Sequence, residues 1–213
     1  IKYPDEIATL LKEKTSKSKE DDLEMLKVDK YIKSAYFKES AVAKDKIAVI
    51  YAAGEIKAGK GDDTFIGERN IKDALIKARE DDRVKSIVLR VNSPGGSALV
   101  SDLIWREVVL TKEVKPVVVS MGRVAASGGY YISCAADYIF ADAKTITGSI
   151  GVFGLIPNIN GFMTNKLGVT FDEVTTNENS NYITINNALT PYQREVIQKS
   201  VERIYDGFVS KVA

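Results

Sequence analysis

Residues 86–97 read Ser86-Ile87-Val88-Leu89-Arg90-Val91-Asn92-Ser93-Pro94-Gly95-Gly96-Ser97. An apolar run of strand length passes into a proline–glycine turn, and a helical pattern from about Ala98 to Lys112 follows, carrying Leu99, Leu103 and Trp105 through Val109. The same order recurs on either side. Upstream, Ile47-Ala48-Val49-Ile50-Tyr51 is another unbroken apolar run; after a turn-rich segment, Ile71, Ala74, Leu75 and Ala78 recur at helical spacing. Downstream, Pro116-Val117-Val118-Val119-Ser120 predicts a third strand, ending just before a helix that opens at Ser127. Two shorter strands are expected at 138–140 and 171–174, bracketing a helical piece near 158–167. A last helix starts at the cap Thr190, with Pro191 in its first turn and Gln193 closing a capping box. Its expected core face is Ile197, Val201, Ile204 and Phe208. Strands alternating with helices predict an α/β fold, a parallel sheet with flanking helices. In such sheets the chemistry sits at the carboxyl ends of the strands.

Residues 1–44 have another texture. Lys12, Lys14, Lys17 and Lys19 run into Glu20-Asp21-Asp22, while Leu10, Leu11, Leu23, Leu26 and Tyr31 are available for docking. This stretch reads as a helical connector, and residues 45–213 as the folded domain. The balance of 30 basic and 29 acidic residues gives a net charge of +1, which argues against nucleic acid as a partner. Cys134 is the single cysteine, so no internal disulfide forms, and it reads as a small core residue. With no histidine, a zinc site would need an improbable set of carboxylates, and no cofactor is expected. No apolar run approaches the roughly 20 residues that span a bilayer. The chain opens on Ile1, which reads as a processed chain or an excised segment.

Three small-residue turns carry the candidate chemistry. Asn92 to Ser97 lies between a strand and a helix, where backbone N–H groups can be aimed into a cleft. The second is Arg123-Val124-Ala125-Ala126-Ser127-Gly128-Gly129-Tyr130-Tyr131, with Ser127 at a helix start in the positive field of the helix dipole. The third is Thr147-Gly148-Ser149-Ile150-Gly151. Without an imidazole, a reacting Ser127 must pass its proton elsewhere, and a lysine of lowered pKa is the realistic acceptor. Gly54 to Lys60 has the spacing of a phosphate loop, but Gly61 stands where Ser or Thr would bind magnesium.

These three turns resemble the signature of the signal peptide peptidase A (protease IV) family, which lies within the Clp-protease/crotonase superfamily. The resemblance covers roughly residues 46 to 212. It implies a repeated ββα spiral and a serine endopeptidase with a Ser/Lys dyad. By the match, Ser127 is the nucleophile, Gly96 and Gly128 supply the oxyanion hole, and Ser149 orients the lysine. Short members carry that lysine in the loop corresponding to 175–182, which here reads Thr175-Thr176-Asn177-Glu178-Asn179-Ser180-Asn181-Tyr182. The remaining candidates after Ser127 are Lys144, Lys166, Lys199 and Lys211, and each has a surface reading. Double-length members place the lysine in a first half and the serine in a second. The chain resembles that second half, truncated at its C-terminus, with residues 1–44 as the connector. The resemblance further implies peptide substrates (signal-peptide remnants) and a homo-oligomer, commonly a tetramer. It also implies the periplasmic face of a bacterial inner membrane, reached only through a segment outside these residues. Two alternatives compete: a non-catalytic oligomerisation or assembly domain of the same fold, and an acyl-CoA enzyme of crotonase type.

Overall fold

The computed structural model describes residues 4–18, 20–23, 25–32, 44–177, 179–181 and 183–213. They form two compact units, Ile1–Lys44 and Asp45–Ala213. The first holds helices α1 (Pro4–Lys14) and α2 (Val28–Ile32). Of the sequence features expected there, Lys19 lies outside the described residues.

The second unit is an α/β fold built on a parallel sheet. Strands β1 (Lys46–Ala53), β4 (Val84–Ser93), β5 (Val117–Ala126) and β6 (Tyr138–Phe140) lie in that order, and β7 (Ile146–Gly148) also pairs with β5. Val49, Val88, Val118 and Tyr138 stand in register across it. β2 (Glu55–Lys57) and β3 (Phe65–Gly67) pair separately, also in parallel. Two helices, α3 (Glu68–Glu80) and α4 (Ala98–Lys112), cover one face of the large sheet. β1 is followed by the β2–β3 pair and then α3, and β4 by a parallel bridge of Gly96 to Ile56 of β2 and then α4, the ββα repeat that the resemblance implies.

Because side chains alternate along a strand, Ile50, Ala52, Ile87, Leu89, Val91, Val117 and Val119 point to the helical side and are buried. They meet Ile71 and Leu75 of α3 and Val100, Ile104 and Val108 of α4. Of the residues picked out in the sequence of α4, Val108 lies in this core and Trp105 and Val109 pack against it, while Leu99 and Leu103 stay exposed. Between the helices, the Arg79 guanidinium pairs with buried Glu107 and donates to Thr111 Oγ1 at 3.3 Å. Lys115 Nζ donates to the carbonyls of Ala78 and Asp81 at 2.9 and 2.7 Å, closing the C-terminal end of α3.

Strand β5 runs longer than expected. The segment 124–126, which reads as a turn, is its far end, paired with β7. Register shifts between Val91 and Ser93, so that Val91 faces Met121 and Ser93 faces Ala125. The extra residues on β5 bend the strand. Asn92 Oδ1 fills the bend, accepting from Val124 N at 3.2 Å, and Gly122 leaves room for that side chain. Past the bend, Ala125 and Ala126 pair with β7, and the strand delivers Ser127 just beyond its end.

The expected strand at 171–174 is absent: among the described residues nothing pairs with it, and Val174 is fully exposed. A strand exists only where a neighbour takes its backbone hydrogen bonds. Glu173 instead accepts the side-chain amides of Asn181 and Asn187. The helical piece expected before it is α6 (Asn160–Leu167). In α7 (Pro191–Val212) the capping box is formed, with Thr190 accepting from Gln193 N and Gln193 accepting from Thr190 N. Its apolar stripe is only partly covered. Phe208 is buried, Ile197 and Val201 are half-buried, and Ile204 is exposed.

Candidate active site

The outgoing turns of β4 and β5 touch through glycine. At Gly95 (φ +101°) a Cβ would stand 2.6 Å from Gly128 N and 2.8 Å from Ser127 Cβ. Gly96 (φ +150°) lies against the backbone of Ile56, where a Cβ would meet the carbonyl oxygen at 2.1 Å. Only glycine allows both the conformation and the approach. Ile56 N donates to Gly95 O and Ser97 N donates to Ile56 O, each at 2.8 Å. These bonds occupy the flanking groups, so the Gly96 N–H points away from β2, and among the described residues it has no acceptor.

Ser127 sits at φ +52° and ψ −119°, at the N-terminus of α5 (Gly128–Tyr131). A non-glycine residue there carries strain of order 1–3 kcal/mol, and backbone bonds on both sides hold it. Ser127 N donates to Gly148 O at 2.8 Å, and Tyr131 N donates to Ser127 O at 2.9 Å. The hydroxyl makes no capping bond. Gly128 follows with its N–H beside the serine, and a Cβ on it would stand 2.5 Å from Ser101 Oγ. Since α5 has only four residues, about one turn, the expected dipole shrinks to the few N–H groups at its start. The bond from Ser127 to Gly148 also brings up Ser149, itself at φ +54°.

Gly96, Ser127, Gly128 and Ser149 line one cleft of about 560 Å³. Its apolar wall includes Tyr131, Phe153, Ile204 and Phe208. Sequence spacing hides that wall, because Ile204 and Phe208 recur at helical spacing and read as core. Tyr131 stands in plain view within the Ser127 turn.

The lysines after Ser127 are engaged or remote. Lys199 pairs with Glu195 at 2.6 Å on the outer surface of α7. Lys144 lines a separate depression with Arg90 and Arg123, and Lys166 is exposed on α6. Lys211, although its sequence position reads as remote, reaches the back of the cleft wall: its Nζ lies 3.0 Å from Asp102 Oδ1 and 5.5 Å from the Tyr131 ring centroid. Partial burial pulls the Lys211 amine down, but the Tyr131 hydroxyl and the Asp102 carboxylate outweigh it and hold the pKa above the ordinary lysine value. A general base requires the opposite shift. Asp102 mirrors this: burial pushes it up, and bonds from Tyr131 and Lys211 bring it below the usual carboxylate range.

Two other sequence features resolve as structural. In the loop with phosphate-loop spacing, the Glu68 carboxylate accepts from Gly59 N at 3.0 Å, putting a negative charge where a phosphate would lie. Cys134 is half-buried, its thiol pushed up chiefly by burial, which disfavours the reactive thiolate. Among the described residues no group of acidic or cysteine side chains is placed to hold a metal.

Comparison with known proteins gives a family match: residues 110–213 match the model of peptidase family S49. Protease 4 of Haemophilus influenzae is 45% identical over 170 residues, covering 79% of the chain and 27% of that protein. The chloroplastic serine protease SPPA of Arabidopsis thaliana is 36% identical over 219 residues, covering 100% of the chain and 32% of its own length. The chain thus spans between about a quarter and a third of these curated relatives. Among solved structures, ClpP1 from Listeria monocytogenes is similar at 24% identity and a TM-score of 0.34, over 41% of the chain and 46% of that protein.

Proposed function

Because the chain belongs to peptidase family S49, we propose that residues 45–213 are the serine-bearing part of a serine endopeptidase and that Ser127 is its nucleophile. The observation that carries this reading is the backbone of Ser127: a strained conformation, fixed by Gly148 and Tyr131, in a cleft that it lines together with Gly96 and Gly128. Strain of this kind persists where the surroundings enforce it, and it clusters at reacting groups.

Ser127 Oγ attacks the scissile carbonyl while its proton passes to a lysine amine. The oxyanion that forms is received by the N–H groups of Gly96 and Gly128, donors held in place before the reaction, which is where such stabilisation is strongest. Collapse expels the amine half of the peptide, protonated by the lysine, and leaves an acyl group on Ser127 that water removes. Ser149, tied to Ser127 through Gly148, orients the amine.

The base lies outside residues 1–213. Lys211 is held charged by Asp102 and so fails the requirement for a neutral amine. The relatives carry much more chain than the match covers, which leaves room for a first half that supplies the lysine. Residues 1–44 then connect the halves. The apolar cleft wall suits the remnants of signal peptides, cleaved by a homo-oligomer at a membrane surface. Among the described residues no helix is long and apolar enough to cross a membrane, so attachment falls to another segment. Hydrolysis of an apolar peptide tests the missing base: the chain 1–213 alone is expected to turn over little, and the protein with its remaining segments to turn over readily. Robust turnover by 1–213 that Ser127→Ala abolishes overturns the assignment of the base to another segment.

A further inference from the structure

Helix α7 supplies Ile204 and Phe208 to the cleft wall, yet most of its surface is exposed and its packing on the domain runs through α5. The Phe208 ring meets Tyr131 with centroids 4.6 Å apart, tilted by 44°. Just beyond Phe208, Lys211 gathers three elements at one point. Its ammonium lies 3.0 Å from Asp102 of α4, 4.7 Å over the centroid of Trp105 of α4, and near the ring of Tyr131 of α5. The Tyr131 hydroxyl donates to the same Asp102 oxygen at 2.8 Å. The Lys211 side chain is 22% exposed and that of Asp102 46%, so the ammonium is partly withdrawn from solvent against the aromatic faces, which strengthens the cation–π contacts, while the ion pair stays partly hydrated.

We propose that Lys211 is a positioning residue: its ammonium latches α7 to Asp102, Trp105 and Tyr131 and thereby fixes the apolar wall that Ile204 and Phe208 present to a bound peptide. The inference rests on the peptidase reading of the cleft and extends it to substrate affinity. The latch acts through side chains of the wall, whereas Ser127 is held through backbone bonds, to Gly148 O of β7 and from Tyr131 N of α5. It therefore governs how tightly an apolar segment binds and has little effect on the chemical step.

The test uses the intact protein with Lys211→Met, which keeps the apolar stem over Trp105, and Lys211→Arg, which keeps the charge. Three quantities are read: KM and kcat on an apolar peptide, the rate at which a small phosphonate labels Ser127, and the emission of Trp105, the single tryptophan of residues 1–213. Loss of a charge-assisted contact predicts a KM raised roughly tenfold in Lys211→Met. kcat and the labelling rate are expected within about twofold of the parent protein (the KM–kcat split), with Trp105 emission shifted and KM restored in Lys211→Arg. An unchanged KM in Lys211→Met overturns the proposal. So does a labelling rate that falls in step with kcat/KM, because the damage is then general. If the parent protein takes no label, the peptidase reading fails, and the latch is read from apolar-peptide binding followed by Trp105 emission. A tenfold weaker affinity in Lys211→Met supports it there, and an unchanged affinity refutes it.

Discussion

The conformation of Ser127 makes a prediction that needs no catalytic assay. At an ordinary position glycine is less stable than alanine by about 0.5–1 kcal/mol, through the greater freedom of the unfolded chain. At φ +52° and ψ −119° any side chain with a Cβ bears strain of about 1–3 kcal/mol, which glycine does not. Ser127→Ala keeps the strain and Ser127→Gly releases it, while both remove the hydroxyl, so its contribution cancels in the comparison. The difference leaves the glycine variant more stable by about 1 kcal/mol, at most about 2.5. For a chain of this size that is a rise of about 2–4 °C in Tm per kcal/mol. Thermal unfolding of the two variants side by side, followed by far-UV circular dichroism, measures it. If Ser127→Ala proves more stable than Ser127→Gly, the serine is unstrained and the account of a backbone-enforced nucleophile fails.

Three further outcomes follow from the same geometry. Gly96→Ala places a Cβ against the Ile56 carbonyl and breaks the two bonds that join β2 to the turn, at roughly 2–4 kcal/mol in all; a urea midpoint equal to that of the parent protein would contradict the close approach. Glu107→Ala strands the Arg79 guanidinium between α3 and α4, with an expected loss of about 3 kcal/mol in urea unfolding, and a loss within about 0.5 kcal/mol would mean the pair is solvated. The third is a pH dependence. Asp102 has a native pKa below its unfolded value, so its contribution is full above the ordinary carboxylate range and is lost as pH falls through the lowered native value. Lys211 is raised, so its contribution holds below the ordinary lysine range and is lost as pH climbs through the native value. Tm of the parent protein is expected to drop more steeply than that of Asp102→Asn at the acid end, and parallel curves would sink the linkage.

The sequence announces the alternation of strand and helix because buried parallel strands read as short apolar runs and capped helices carry their own signals, as the box at Thr190 and Gln193 illustrates. Apolar pattern also places the sheet face that carries Ile87, Leu89 and Val91. It fails where one pattern serves two purposes. Leu99 and Leu103 look like core but point outward, because the orientation of α4 is decided by the sheet beneath it. Ile204 has core spacing and lines a cleft. The segment 171–174 has strand composition, but pairing is a property of two segments, and composition describes one. Glycine turns at 95–96 and 127–129 point to the cleft because only close backbone approach explains them. The Asp102–Tyr131–Lys211 cluster gives no sequence signal, since its members lie on three separate elements.

The nucleophile itself is tested most directly by covalent labelling. The intact protein, treated with a serine-directed phosphonate and digested, is expected to carry one adduct, on the peptide containing Ser127, with labelling abolished in Ser127→Ala while the fold is retained. A folded protein that takes no label, or takes it on another serine while Ser127 stays free, contradicts the account.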